Sequence, residues 1–570
     1  MATALIDGQQ VDFESGETIL EAAEKVQIKI PTLCHAEDLS IYGGCRICVV
    51  EIEGERLLKP ACATKISEGM KIKTHSPKVR EVRRNIFELI VASHDISCRL
   101  NCLTCSRNQS CELREIAADI GANQTRFDPI DKGYDDDRSS VSIVREPNKC
   151  ITCGRCIRKC EEVQGVGIFT MANRGPATVL TTFGDKGMGN VECTNCGQCI
   201  HACPTGALHE VYHYDRVWDM LKDEDKFVVV QTAPAVRVAL AELFESKPGT
   251  IVTGQMVAGL KRLGFDRVFD TNFAADLTIM EEGTELIGRI EDGGPFPMFT
   301  SCSPGWIKYI EHFYPEYLEN LSSCKSPQQM FGAVAKSYYA QQHGIDKEDM
   351  VVVSVMPCTA KKFESGRGEM DQDVDFVLTT RELGRMVKEA GIDLVNLAEE
   401  DYDPMMGEST GAGSIFGSSG GVMEAALRTA YELITEEELE ELDFEPVRGA
   451  EGIKEAEVEI KGMTVKTAVA SGLSNVGQLL EKIKNGEEYH FVEMMACPGG
   501  CIGGGGQPIP TNQETVEERM KAIYEIDAGK KKRKSHQNKE VQQLYEDYLG
   551  APNSHLAHEL LHTNYIKREI

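Results

Sequence analysis

Two runs of cysteine limit what this chain can become more than any other feature of it. Cys150, Cys153, Cys156 and Cys160 repeat their spacing 43 residues later as Cys193, Cys196, Cys199 and Cys203, with Pro204 immediately after. Four thiolates at such close intervals are the ligand set of an iron–sulfur cube. Zinc or disulfides are the competing reading. The chain holds 21 cysteines, and its start, Met1 to Asp7, shows no basic stretch leading into an apolar core. Cysteine at that density without an export signal points to metal and redox chemistry rather than to a disulfide scaffold.

The spacing is that of the bacterial two-cluster ferredoxins, in which each run lends its last cysteine to the other run's cluster. It groups Cys150, Cys153, Cys156 and Cys203 around one 4Fe–4S cluster, and Cys193, Cys196, Cys199 and Cys160 around another, in a domain spanning 127–209. Upstream, residues 1–78 read as a plant-type-like, β-grasp ferredoxin domain. Ala4-Leu5-Ile6, an Asp7-Gly8 turn and Val11-Asp12-Phe13 predict a hairpin, and Glu17–Val26 predicts an amphipathic helix. Its Cys34, Cys45, Cys48 and Cys62 suit a 2Fe–2S cluster, with Gly43-Gly44 allowing close backbone approach; structural zinc is the alternative. Residues 79–126 open on a helix predicted over Val79–Ser93 and supply Cys102, Cys105 and Cys111 to a further 4Fe–4S cluster. Its fourth ligand is expected from His94, with Cys98 as the alternative. Sixteen cysteines thus precede residue 204, and four clusters in series make an electron wire that needs a terminus.

The rear of the chain, 210–570, changes character. Strands are predicted at Phe227–Val230, before a helix over about 235–245, and at Met350–Val355. A strand at Asp375–Leu378 leads into a helix over Thr380–Ala390, and Pro297–Phe299 and Tyr489–Met495 read as further strands. This alternation predicts open α/β sheets, whose ligands gather beyond the carboxyl ends of the strands. Cys302, Cys358 and Cys497 each follow a strand, which suits one metal site built from distant segments. From Cys497 to Pro508 every residue except Ile502 and Gln507 is Gly, Pro or Cys, so the segment is neither helix nor strand. Two thiols on so bare a loop suit a bulky inorganic group held against backbone. The fold class expected is therefore multidomain α+β: three small iron–sulfur domains before a large α/β domain.

Thr300–Trp306, Met356–Lys361 and Glu493–Pro508 resemble the three signature motifs of FeFe hydrogenases, and the likeness to the monomeric, ferredoxin-linked clostridial type covers nearly the whole chain. It implies reversible reduction of protons to dihydrogen at an H-cluster. That group is a 4Fe–4S cube bridged by a cysteine sulfur to a two-iron unit carrying CO, cyanide and an azadithiolate. Carried over by motif, Cys358, Cys497 and Cys501 hold the cube, and Cys501 is the bridge. The resemblance places Ala233, Pro234, Ala235, Pro327, Gln328, Met356, Lys361, Phe416 and Met495 around the di-iron unit. Lys361 would donate a charge-assisted hydrogen bond to a cyanide. Proton delivery is implied for Cys302, Ser322, Glu282, Glu285 and Arg289. Glu282 and Glu285 share a face of a helix predicted over Ile279–Ile290, which by itself would read as a solvated acidic face.

One departure stands out. The family motif has two adjacent cysteines, the first relaying protons and the second binding the cube; here the pair is Cys302-Ser303. Either Ser303 binds as alkoxide, or Cys302 moves into the ligand place, or Cys324 compensates.

The net charge of −29 argues against a nucleic-acid partner, and no apolar run is long enough to span a membrane. The resemblance implies a cytoplasmic enzyme, ferredoxin or flavodoxin as electron partner, and maturation proteins that build the di-iron unit. Lys71, Lys73, Lys78, Arg80, Arg83 and Arg84 form a candidate basic docking patch, and Lys530–Lys534 a basic loop closing on the acidic body. The rival readings are an electron-transfer subunit of a larger complex, a hydrogen sensor and an electron-bifurcating subunit.

Overall fold

Ala2–Ile6 (β1) and Gln9–Phe13 (β2) turn alternate residues, Ala4, Ile6, Val11 and Phe13, into one core. They pair antiparallel across Asp7-Gly8, both at positive φ (48° and 86°), the turn geometry that matches strand twist. With Val49–Ile52 (β3), Lys59–Pro60 (β4) and Lys71–Lys73 (β5) they form a five-stranded sheet in the order β2-β1-β5-β3-β4. The helix Ile19–Lys25 packs on it, opened by a capping box in which Thr18 N donates to Glu21 at 2.6 Å and Glu21 N donates back to Thr18 Oγ1. The structure, a computed structural model, describes residues 2–94, 102–122, 125–439 and 442–569. Cys98 lies outside the described residues.

Next comes the helix Pro77–Ala92, started by Ser76. Beyond it, Ile143–Arg145 (β6) pairs with Leu208–Glu210 (β9), and Phe169–Ala172 (β7) with Val179–Thr182 (β8), giving two small ribbons around the repeated cysteines. Of the predicted basic patch, Lys71, Lys73, Lys78, Arg80 and Arg84 are exposed. Arg83 is not part of it: it is buried, donating to Val49 O at 2.8 Å from the helix face turned to the sheet.

Among its described residues the large domain has eight strands: Phe227–Thr232 (β10), Arg267–Asp270 (β11), Met298–Phe299 (β12), Met350–Met356 (β13), Phe376–Thr379 (β14), Ile453–Ile460 (β15), Met463–Ser471 (β16) and Phe491–Met495 (β17). One sheet, β11-β10-β13-β14, is wholly parallel; β13 is buried along its full length, as a strand covered on both faces must be. The other, β12-β17-β16-β15, is parallel except for the β15–β16 hairpin. The carboxyl ends of β10, β12, β13 and β17 all open on one cavity.

The helix expected over 235–245 is replaced by turns, with a 3₁₀ segment only at Leu240–Phe244. Tertiary partners take the groups a helix would use: Arg237 O accepts from Val252 N at 3.0 Å, and the Arg237 guanidinium is clamped by Asp270 at 2.6 and 3.1 Å. Lys532, Arg533 and Lys534 meet Glu408, Asp527 and Glu432, so three of the five cations of the basic loop are paired within the large domain.

Candidate functional site

One cavity lies where these strand ends meet. Cys358 enters it after β13, Cys497 and Cys501 after β17, Cys302 and Ser303 after β12, and Ala233 and Pro234 after β10. Pro327, Gln328, Met356, Lys361, Phe416 and Met495 complete the wall the sequence singled out; Ala235 stands behind it, fully buried, its carbonyl accepting from Gln507 Nε2 at 3.0 Å. The thiols of Cys358, Cys497 and Cys501 are raised by burial. A thiolate there needs a compensating cation, the condition an iron–sulfur cube meets. The glycines explain the room for such a group. A Cβ on Gly504 would meet Pro357 O at 2.2 Å, and one on Gly500 would meet Ser419 N at 2.6 Å, so the loop lies directly on neighbouring backbone. Small residues and three convergent thiols thus fit the inorganic group.

Lys361 is the cation at the wall. Its Nζ donates to Cys302 O at 3.2 Å and to Glu364 at 2.9 and 3.1 Å. Glu364 also accepts from Ser326 Oγ and Gln328 Nε2, fixing Pro327-Gln328 against the same ion pair. The sequence reading missed Glu364, although its i, i+3 offset from Lys361 on one short helix signals the pair. It likewise passed over Glu493, a fully buried carboxylate on β17. Glu493 accepts from Gly420 N at 2.7 Å and Met423 N at 2.8 Å, which anchors the helix following Phe416.

Cys302 and Ser303 face different neighbours. The Cys302 thiol is held well up by burial, then by the negative charges near it, Glu282 first. Ser303 Oγ instead accepts from Ala496 N at 3.3 Å, beside Cys497. Cys324 is fully buried but is not among the residues lining the cavity; its sulfur lies near Glu285 and His562.

Glu282 and Glu285 leave the bland reading behind. They sit on the helix Thr271–Asp292, whose middle is covered, and Glu282 is 2% exposed. Burial, then repulsion by Glu285, pushes its carboxyl up to about 8. Glu285 accepts from Ser322 Oγ at 3.1 Å and from Arg289 Nη2 at 2.6 Å. Of the five residues grouped for proton delivery, Glu282 and Ser322 are buried, Glu285 and Arg289 are partly so, and Cys302 reaches the cavity.

The front cysteines gather as well. One small cavity is lined by Cys160, Cys193, Cys196 and Cys199, and another by Cys150, Cys153, Cys156 and Cys203, the crossed sets read from the repeat. Cys48 and Cys62 bring their sulfurs to 3.4 Å, and Cys45 N donates to Cys34 Sγ at 3.5 Å. His94 is buried just past the helix Pro77–Ala92, and Cys111 is buried where the helix Glu112–Asp119 begins.

Cys196 lines both the cavity of Cys160, Cys193 and Cys199 and the one that takes Cys358, Cys497 and Cys501, so the two share a loop. The contact is backbone on backbone: a Cβ on Gly505 would meet Cys196 O at 2.3 Å and Gly197 Cα at 2.7 Å. Gln198 Nε2 donates to Gly503 O at 2.8 Å, and Thr359 Oγ1 to Asn195 O at 2.7 Å. Gly505→Ala is expected to cost about 1–3 kcal/mol by overpacking and to slow hydrogen evolution driven through the front clusters. Thermal unfolding, with donor-linked against donor-independent assays, checks both.

Comparisons with known proteins cover the whole chain. "Iron only hydrogenase large subunit, C-terminal domain" matches 226–505 and "Iron hydrogenase small subunit" matches 513–568. In front, "2Fe-2S iron-sulfur cluster binding domain" matches 1–77, "NADH-ubiquinone oxidoreductase-G iron-sulfur binding region" 83–126, and "NADH-quinone oxidoreductase subunit 3, ferredoxin-like domain" 140–209. The chain is 48% identical to an NADP-reducing hydrogenase subunit of Solidesulfovibrio fructosivorans, over 100% of this chain and 99% of that protein. It is 43% identical to iron hydrogenase 1 of Clostridium pasteurianum, over 100% of both. A solved structure of a variant apo FeFe-hydrogenase from Chlamydomonas reinhardtii, 45% identical, covers 63% of this chain and 100% of its own at a TM-score of 0.57.

Proposed function

The chain belongs to the iron-only, or FeFe, hydrogenase family, an enzyme with an H-cluster domain behind accessory iron–sulfur domains, and from that premise we propose that it interconverts protons and dihydrogen with ferredoxin or flavodoxin as its electron partner. The observation that carries the reading is the cavity where Cys358, Cys497 and Cys501 converge beside Lys361. When bound, the H-cluster supplies the iron chemistry at which protons and electrons combine. Cys358, Cys497 and Cys501 hold it, and Lys361 neutralises its anionic ligands. Ser303 takes the cube side, next to Ala496 and Cys497. Cys302, facing Glu282 and Lys361, takes the proton side as a neutral thiol. Glu282, Ser322 and Glu285 pass protons toward it.

In this reading one 2Fe–2S site (Cys34, Cys45, Cys48, Cys62) and three 4Fe–4S sites feed electrons inward. The domains divide at about 78, 126 and 209, and His94 completes the cluster of Cys102, Cys105 and Cys111. Among the described residues no helix is long and apolar enough to cross a membrane, and a cytoplasmic location is part of the proposal. The test is infrared spectroscopy of anaerobically matured protein in the CO and cyanide stretching region. Bands that shift under hydrogen are expected; their absence after verified maturation overturns the reading. Cys302→Ala should keep those bands yet evolve no hydrogen. Loss of the cube's magnetic signature in that variant would instead make Cys302 the ligand.

A second reading rests on the relative named an NADP-reducing hydrogenase subunit. There the electrons come from a partner subunit handling nicotinamide. Turnover of the purified chain with reduced ferredoxin alone supports the first reading. Turnover only after a nicotinamide-oxidising partner is added supports the second.

A further inference from the structure

The track of acidic residues ends at Glu285, and the group beside it cannot be a proton source. Arg289 clamps Glu285 Oε1 at 2.6 Å and donates to Asn320 O and Leu321 O at 3.2 and 2.7 Å. A guanidinium does not release a proton in a protein, so Arg289 orients Glu285 and carries nothing.

The other oxygen of Glu285 leads elsewhere. Oε2 accepts from Ser323 N at 3.0 Å and from Ser323 Oγ at 3.1 Å, and the same Ser323 Oγ lies 2.8 Å from His562 Nδ1. His562 is brought there by the tail. Lys325 N donates to Leu561 O at 2.7 Å, Thr563 N to Ser323 O at 2.8 Å, and Cys324 and His562 form a β-bridge. His562 Nε2 is 3.1 Å from Glu281 Oε2, and its ring lies tilted by 32°, 4.1 Å between centroids, against His558, which is exposed. The charged and titratable groups around the ring are Glu281, Glu285, His558 and the Cys324 thiol; burial keeps that thiol neutral.

We propose that His562 is the relay residue through which protons enter the track, from the surface beside His558 through Ser323 to Glu285. This rests on the reading of Glu285 as part of proton delivery. Imidazole is the side chain that both takes up and releases a proton near neutral pH. The transfer balances without a co-reactant. His562 Nδ1–H passes to Ser323 Oγ, and the Ser323 hydroxyl proton passes to Glu285 Oε2. Imidazolium and carboxylate become neutral imidazole and neutral acid. In hydrogen oxidation the same steps run outward. Glu285 keeps 14% of its side chain exposed, so direct protonation by water is the competing route.

The test uses the matured full chain and an artificial one-electron donor, so that the front clusters do not limit the rate. His562→Gln, which keeps hydrogen-bonding groups in place, is expected to lower hydrogen evolution by roughly 10²-fold, with the infrared bands and the unfolding transition unchanged. His562→Ala should regain rate when free imidazole is added. An unchanged rate in His562→Gln overturns the proposal in favour of water at Glu285. A loss accompanied by altered bands, or one that imidazole does not restore, overturns it in favour of a purely structural fastening of the tail. Glu285→Gln, measured alongside, separates the two levels. If it too is fully active, the reading of the track fails rather than that of His562 alone.

Discussion

Glu282→Gln cuts hydrogen evolution by roughly 10²- to 10⁴-fold, the range for losing a positioned acid–base group, while the infrared bands of the cofactor stay in place. The side chain is buried, and its carboxyl is pushed up to about 8 by burial and by Glu285. Below that value it is a neutral acid with a proton to give; a carboxamide in the same space has none. In the wild type, evolution falls as pH rises through about 8, because the carboxyl ionises; the variant shows no such limb. Stability carries the same signature. The folded value exceeds the ordinary 4.5, so the contribution of this group is complete below about 4.5 and is lost progressively as pH rises to about 8. Unfolding temperatures of wild type and variant measured across that window should draw apart in that direction. A wild type whose rate is flat through pH 8 would rule the acid role out.

Lys361→Met removes hydrogen evolution altogether and leaves the chain without CO and cyanide bands, while the front clusters keep their signals. Two effects combine. In the proposed reading, the di-iron unit loses the cation that would balance its anionic ligands. Glu364, 3% exposed and paired with Lys361 at 2.9 Å, is left as a buried charge without its cation, which costs about 3–5 kcal/mol. Lys361→Arg keeps the charge but not the point geometry, and should keep some of the bands. Infrared spectra of the two variants, set beside iron content, separate failed loading from failed folding. Full bands in Lys361→Met would remove Lys361 from the site.

The parts of this molecule that could be read from its sequence are those where chemistry forces spacing. The crossed sets Cys150/Cys153/Cys156/Cys203 and Cys193/Cys196/Cys199/Cys160 meet as grouped, because short cysteine intervals leave little freedom. Parallel strands such as β13 were legible as apolar runs, in β13 interrupted by Ser354. The segment 233–239 was not: its local pattern favours a helix, but Asp270 and Val252, distant in sequence, claim its polar groups. Glu282 could be grouped only by resemblance, since an i, i+3 pair of glutamates looks the same whether the face is solvated or covered. His562 had no local signal at all, because its partner Ser323 lies 239 residues away.

The meeting of Cys196-Gly197 with Gly505 has a consequence for anyone who would rewire this enzyme. Modules joined by side chains can be exchanged by redesigning a rim, but here the bonds of Gln198 and Thr359 surround a point where backbone lies directly on backbone. A Cβ on Gly197 would meet Thr359 Oγ1 at 2.4 Å and Gly505 Cα at 3.0 Å, so a donor module grafted in front of the catalytic domain must bring a bare backbone at that point. Chimeras cut between 203 and 226 inherit a mismatched surface unless they carry 195–198 with them. The natural unit of transplantation is therefore the last ferredoxin-like loop together with the large domain, and the portable part of the wire is what lies before it.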